Sequence, residues 1–217
     1  MMTNLFSSFD PMSSINQMNM MITTSVFIIM PMQFWLKKSR WNSMMKMLEK
    51  KMMMEMSLIT HHKEILILSM SMFTFILINN TMGLFPYIFT STSHLVISMS
   101  MAIPMWMSMM IYGWTKFTNS MFLHLLPKGT PTAISPMMIL IETTGNIIRP
   151  ISLSVRLTAN MIAGHLLMTL LGEINSIKTI CIILPIQIML TMFETAISMI
   201  QAYVFSTLMT LYSSEIP

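Results

Sequence analysis

Seven polar side chains stand inside otherwise apolar sequence in the last third of the chain: Glu142, Arg149, Arg156, Asn160, His165, Glu194 and Gln201. Arg156 is the most telling. A guanidinium stays protonated at any biological pH. At the centre of a membrane helix it costs roughly 2.5–3.5 kcal/mol on insertion scales. Such a group needs an anion to meet. The other residues supply what proton chemistry needs: two carboxylates and an imidazole that can gain and lose a proton, and two amides that can hold water or a charged partner. Intramembrane groups of these types mark proton or ion routes.

Spacing sets how they face. Positions 142, 149 and 156 are seven apart, close to two helical turns, so they form one slowly drifting stripe. Asn160, four beyond Arg156, stays near it. His165 is nine beyond, about half a turn round, so it faces away from Arg156. Gln201 follows Glu194 by seven, on one face of the next helix. Folding these two helices antiparallel about residues 174–175 puts Arg156 level with residue 193, and Glu194 at a similar depth. Blander roles exist for some. Arg149 beside Pro150 suits a snorkelling cation, Glu142 an ion pair with Arg149, His165 a packing histidine and Gln201 an interhelical bond. Arg156, far from both helix ends, suits none of these.

The elements that must position these groups are membrane helices. Of 217 residues, 54% are hydrophobic and only 9% charged; mean hydropathy is +0.67. Soluble domains carry about 25% charged residues. The chain therefore reads as an all-α integral membrane protein. Its net charge of +4 does not point to nucleic acid, because seven of the 12 Lys and Arg fall between Lys37 and Lys63, interleaved with Met and Leu. That is the pattern of a membrane-surface segment. The single cysteine, Cys181, excludes an internal disulfide and any Cys-rich metal site. No His-Glu-x-x-His pattern and no Gly-rich phosphate loop occurs, so neither a zinc protease nor nucleotide binding is expected. No cofactor or metal is expected at all. The 33 Met residues scatter through every apolar segment. An organelle genome's codon bias accounts for them better than a Met-rich groove does. Residues 1–19 lack a signal or transit peptide pattern, which agrees with synthesis inside the organelle.

The expected order is a single membrane domain with a transmembrane helix at 18–36, a surface helix at 41–64, a transmembrane hairpin at 65–89 and 94–114, and two long helices at 132–172 and 177–213. Positive charge places 37–64 on the matrix or cytoplasmic side and the N-terminus opposite. The last two helices, about 60 and 55 Å at 1.5 Å per residue, exceed a ~30 Å bilayer core. Either they lie steeply tilted, shielded by a large partner, or they break at Pro150 and Pro185. No inverted repeat is apparent, which weighs against the alternative of a secondary transporter. A respiratory-complex membrane subunit is the companion alternative.

The residues also carry a family resemblance. Ile141-Glu142-Thr143, Ile148-Arg149-Pro150, the run from Arg156-Leu157-Thr158-Ala159-Asn160 to Gly164-His165, Phe193-Glu194, and Ile200-Gln201-Ala202-Tyr203-Val204-Phe205 resemble subunit a of mitochondrial F-type ATP synthases. The opening and closing residues are similar to the arthropod forms. Thr144-Gly145, Ile151-Ser152 and Lys128 depart from the common pattern, at packing and loop positions. The resemblance implies a stator of the Fo sector in the mitochondrial inner membrane. Its partners would be a ring of c subunits with mid-membrane carboxylates, other stator subunits, lipid and protons. It further implies that Arg156 meets the ring carboxylates. His165 and Glu194 would belong to the intermembrane-side half-channel and Glu142 to the matrix-side one, with Asn160 and Gln201 supporting Arg156 or lining the route. Arg149 and Tyr203 are secondary candidates.

Overall fold

The computed structural model of the chain describes residues 9–12, 18–24, 37, 39–60, 63–85, 88–126, 131, 134–173 and 180–215. Among these there is no strand. The helices, numbered in order, are α1 (Arg40–Ile59), α2 (Lys63–Gly83), α3 (Leu95–Lys116), α4 (Thr118–His124), α5 (Ser135–Glu173) and α6 (Ile180–Ser214). Short 3-10 segments cover Met18–Thr24 and Ser91–Ser93. Most of the expected 18–36 span lies outside the described residues.

Helix α1 opens on Ser39, whose hydroxyl accepts from the Asn42 N–H at 3.2 Å, satisfying one of the orphan donors of the first turn. It buries only Met56, which packs on Leu66 and Met70 of α2. Trp41, Met47, Met54 and Leu58 remain exposed among the lysines. Such a helix suits the plane of a membrane interface. The next helix begins at Lys63, so Lys63 and Glu64 belong to a spanning element and not to the surface helix.

Helices α2, α3, α5 and α6 are each long and apolar enough to cross a membrane. Pro150 and Pro185 both lie inside continuous helices, which settles the choice left open by the sequence: there is no break. At 1.5 Å per residue, α5 (39 residues) and α6 (35 residues) run about 58 and 52 Å. A ~30 Å core cannot hold them upright.

The buried positions of α5 are 150, 153, 154, 157, 158, 161 and 164; those of α6 after Ile183 are 198, 201, 202, 205, 206, 209, 210 and 213. Both follow the three-and-four spacing of one helix face. Small residues Ser198, Ala202, Ser206 and Thr210 recur every fourth position on α6, letting α2 approach closely. Helix α3 packs on α5 in turn. The shared core is Ile76, Met105, Leu153, Leu157, Phe205 and Met209 with their neighbours. Hydroxyls within the helices donate back to carbonyls three or four residues earlier, as Thr158 and Ser206 do, which keeps them satisfied away from water.

Candidate functional site

Helices α5 and α6 face each other through polar groups. The Asn160 Nδ2–H donates to Gln201 Oε1 at 3.2 Å. One turn further along α5, Gly164 lies against the Glu194 carboxylate: a Cβ at Gly164 would stand 2.9 Å from Glu194 Cδ and Oε1. Only a glycine leaves that carboxylate its place. His165 meets the ring of Phe9 edge-on, centroids 6.3 Å apart.

These groups line two cavities. The first, about 170 Å³, is walled by Asn80, Asn160, His165, Glu194, Ser198 and Gln201 among apolar neighbours. The second, about 750 Å³, shares His165 and Glu194 and continues past Asn19, Thr90, Gln187 and Thr191. Asn80 Oδ1, His165 Nε2 and Glu194 Oε1 are buried without a hydrogen-bond partner among the described residues. A buried polar atom left unpaired costs about 1–3 kcal/mol. A cavity roomy enough for several waters lets such atoms be satisfied by water.

Asn80 is a site residue that the spacing along the last two helices does not bring in. Asn80 is 1% exposed and lines the cavity. Two adjacent amides at the end of an apolar helix were the available signal; the packing partner was not.

Arg156 is exposed, lines neither cavity, and makes no hydrogen bond or ion pair with a described residue. It and His165 have different surroundings. Its expected level with Glu194 is corrected. The contacts of Gly164 with Glu194 and Asn160 with Gln201 fix a register that sets Arg156 beside Ala202–Phe205. Glu194 lies about eight residues away along the helix, or about 12 Å.

Toward the other end of α5, Arg149 Nη2 lies 3.7 Å from Glu142 Oε1. Its Nη1 donates to Glu215, and its guanidinium sits 4.9 Å over the Tyr212 ring. Glu142, Tyr212 and Glu215 line a third cavity of about 500 Å³ with Trp106 and Asn146. Glu215 and Tyr212 went unnoticed in the sequence because their relevance depends on the α5–α6 register. The Tyr203 hydroxyl donates to Glu55 of α1 at 3.4 Å, tying the surface helix to α6. Among the described residues no three His, Cys, Asp or Glu side chains converge as a metal site requires.

A family profile described as ATP synthase A chain matches residues 15–214. The chain belongs to the ATP synthase A chain family. Over the whole length of both chains it is 51% identical to ATP synthase subunit a of Locusta migratoria, 49% to that of Drosophila melanogaster and 48% to that of Aedes aegypti. For a member of the ATP synthase A chain family, four apolar helices with a polar seam are a membrane fold built around proton transport. Membership removes the transporter and respiratory-complex alternatives.

Proposed function

We infer that this chain is the proton-conducting stator subunit of the Fo sector of an ATP synthase. It provides two half-channels to a rotating ring of c subunits in the mitochondrial inner membrane. Two separate cavity systems, each lined by ionisable side chains among apolar ones, with an exposed Arg156 lying off both and unpaired among the described residues, carry this reading. In it, protons reach the ring through the cavities that hold Glu194, His165 and Asn80. They leave through the one that holds Glu142. Asn160 and Gln201 brace the α5–α6 seam beside Arg156. Residues 37–64 face the matrix, and the N-terminus lies on the intermembrane-space side.

Arg156 has two tasks. A fixed cation favours the ionised form of a passing ring carboxylate, so the carboxyl releases its proton before crossing from one half-channel to the other. It also repels protons, closing the direct path between cavities. A leak would be costly, since one charge crossing 100 mV yields about 2.3 kcal/mol. The succession of ring carboxylates would be the anion that Arg156 lacks among the described residues.

The test is Arg156→Ala in the intact complex, reconstituted in vesicles. Proton-driven ATP synthesis should vanish while the complex still assembles. Substantial coupled synthesis by that variant would sink the reading.

A further inference from the structure

We propose that Gly83 is a positioning residue for His165. Its carbonyl takes the Nδ1–H of the ring, so Nε2 is the nitrogen that gains and loses protons, and Thr90 holds that carbonyl in place. The proposal rests on the stator reading above and names the atom of His165 that works in it.

Gly83 is the last residue of α2. The final carbonyls of a helix have no donor within it. Those of Thr81 and Met82 accept the N–H groups of Leu84 and Phe85 at 3.3 and 3.2 Å. The Gly83 carbonyl receives no backbone N–H from a described residue, and the Gly83 backbone bonds the His165 ring. Its N–H is bonded inside α2, so the group that meets the ring is the carbonyl. His165 Nε2 is buried with no hydrogen-bond partner among the described residues. The nitrogen that Gly83 holds is therefore Nδ1. A proton fixed on Nδ1 leaves the lone pair of the neutral ring on Nε2. His165 lines both entry cavities, and so does Glu194, whose buried Oε1 also lacks a partner among the described residues.

Two contacts keep ring and carbonyl in place. Phe9 meets the imidazole edge-on, centroids 6.3 Å apart. Thr90 closes over Gly83: a Cβ there would stand 3.2 Å from Thr90 Cγ2. Thr90 is itself tied down, since its hydroxyl donates to Ser93 Oγ at 3.2 Å and Ser93 donates to the Thr90 carbonyl at 2.6 Å. A side chain at position 83 must therefore push Thr90 or the end of α2, and the carbonyl with it.

The transfer has two parts. An O–H of a protonated cavity water breaks and Nε2–H forms, leaving an imidazolium. Then Nε2–H breaks, and the proton passes through water to the Glu194 carboxylate, where an O–H forms. Nδ1 keeps its proton throughout, so the ring returns to the same tautomer without turning over. The ionisable groups around the ring come from three elements. Glu194 of α6 lines the cavities, Asp10 is exposed beside Phe9, and His94 before α3 stacks on the cavity-lining Phe89, centroids 5.4 Å apart. The lining residues of α2, of Met18–Thr24 and of the rest of α5 do not titrate.

The experiment uses the intact ATP synthase in vesicles, with synthesis rate followed against pH on the His165 side. Gly83→Ala should assemble in full yield, move the pH profile and lower the rate about tenfold, as a displaced proton-transfer group does. Adding Thr90→Ser removes the crowding methyl, keeps the hydroxyl for Ser93, and should restore both. The variants His165→Asn and His165→Gln ask which nitrogen works. Asparagine puts its amide nitrogen where Nδ1 stands and leaves nothing at Nε2; glutamine reaches the Nε2 position and can hold cavity water. His165→Gln should keep about tenfold more synthesis than His165→Asn. An equal or higher rate in His165→Asn overturns the proposal. So does a Gly83→Ala enzyme whose pH profile per assembled complex is unchanged, whatever its yield, because that marks packing alone. Arg156→Ala in the same preparation separates the two readings. If it abolishes synthesis while the other variants go against the proposal, only the positioning role is lost; if coupled synthesis persists in it, the stator reading itself fails.

Discussion

Gly164 and Glu194 are the closest-fitted pair at the polar seam. The carboxylate occupies the space where a Cβ would be, so even a methyl at Gly164 must displace it. The displaced group is the end of a flexible side chain, and the backbone can stay put. Gly164→Ala should therefore leave the complex assembled and lower proton-driven synthesis by about tenfold, or about 1.4 kcal/mol. Normal synthesis with a normal yield of complex would show that the position of Glu194 is not critical. Asn80 makes a similar case from the opposite wall. Replacing it by Leu removes the buried oxygen that lacks a protein partner and fills the cavity with an apolar group. Packing should survive, since the site is already walled by Leu84 and Leu157, while synthesis falls. Reduced rates without loss of assembled enzyme are the outcome to look for. The sequence made Glu194 and His165 visible as costly polar groups in apolar surroundings. It could not make Gly164 visible, because what matters there is the absence of an atom facing a residue 30 positions away.

At the scale of elements, the α5–α6 register decides which residues meet. Periodicity along each helix was readable from the chain, because burial repeats every three and four positions. The register between helices was not. Glu173-Ile174-Asn175-Ser176 marks a break in apolar sequence, but where a turn is centred depends on where the next helix takes up its packing. Moving that centre by about five residues slides the partner helix by about ten. Glu194 then leaves the level of Arg156, and Tyr212 arrives beside Arg149. The proline question has a related answer. Pro150 removes a backbone donor, yet it is buried where α5 packs on its neighbours, and neighbouring helices make prolines tolerable in membrane spans. The bond between Asn160 and Gln201 is the direct probe of this register. Interhelical bonds in membranes average about 0.6 kcal/mol in double-mutant cycles. Alanine at both positions, compared with each alone by thermal denaturation of the complex, should give a coupling of about that size. Strict additivity would mean that the two amides do not meet.

At the scale of the whole molecule, the described residues leave one side uncovered. Only 6% of the most apolar stretch of α6 is buried by the rest of the chain, against 44% for α2. Exposed along α6 are Met189, Met192, Phe193, Met199 and Ile200, on the helix that packs against the one bearing Arg156. Lipid alone would serve an apolar surface. It would not serve Arg156, which is exposed and without a partner among the described residues, since a lone cation against hydrocarbon costs several kcal/mol. Two helices of nearly twice the bilayer thickness can lie across a curved partner, presenting that cation at the point of contact. Composition made the lipid-facing character legible, and the excess helix length made a large partner necessary. The identity of the covering surface depends on chemistry outside this chain. A cysteine replacing Ile200, 59% exposed on α6, should form oxidative cross-links with cysteines placed on the ring subunit. A cysteine replacing Val96, 78% exposed at the start of α3, should not, although it is the more accessible of the two. Cross-links from both positions, or from Val96 alone, would mean that the ring does not lie against α5 and α6, and that Arg156 finds its anion elsewhere.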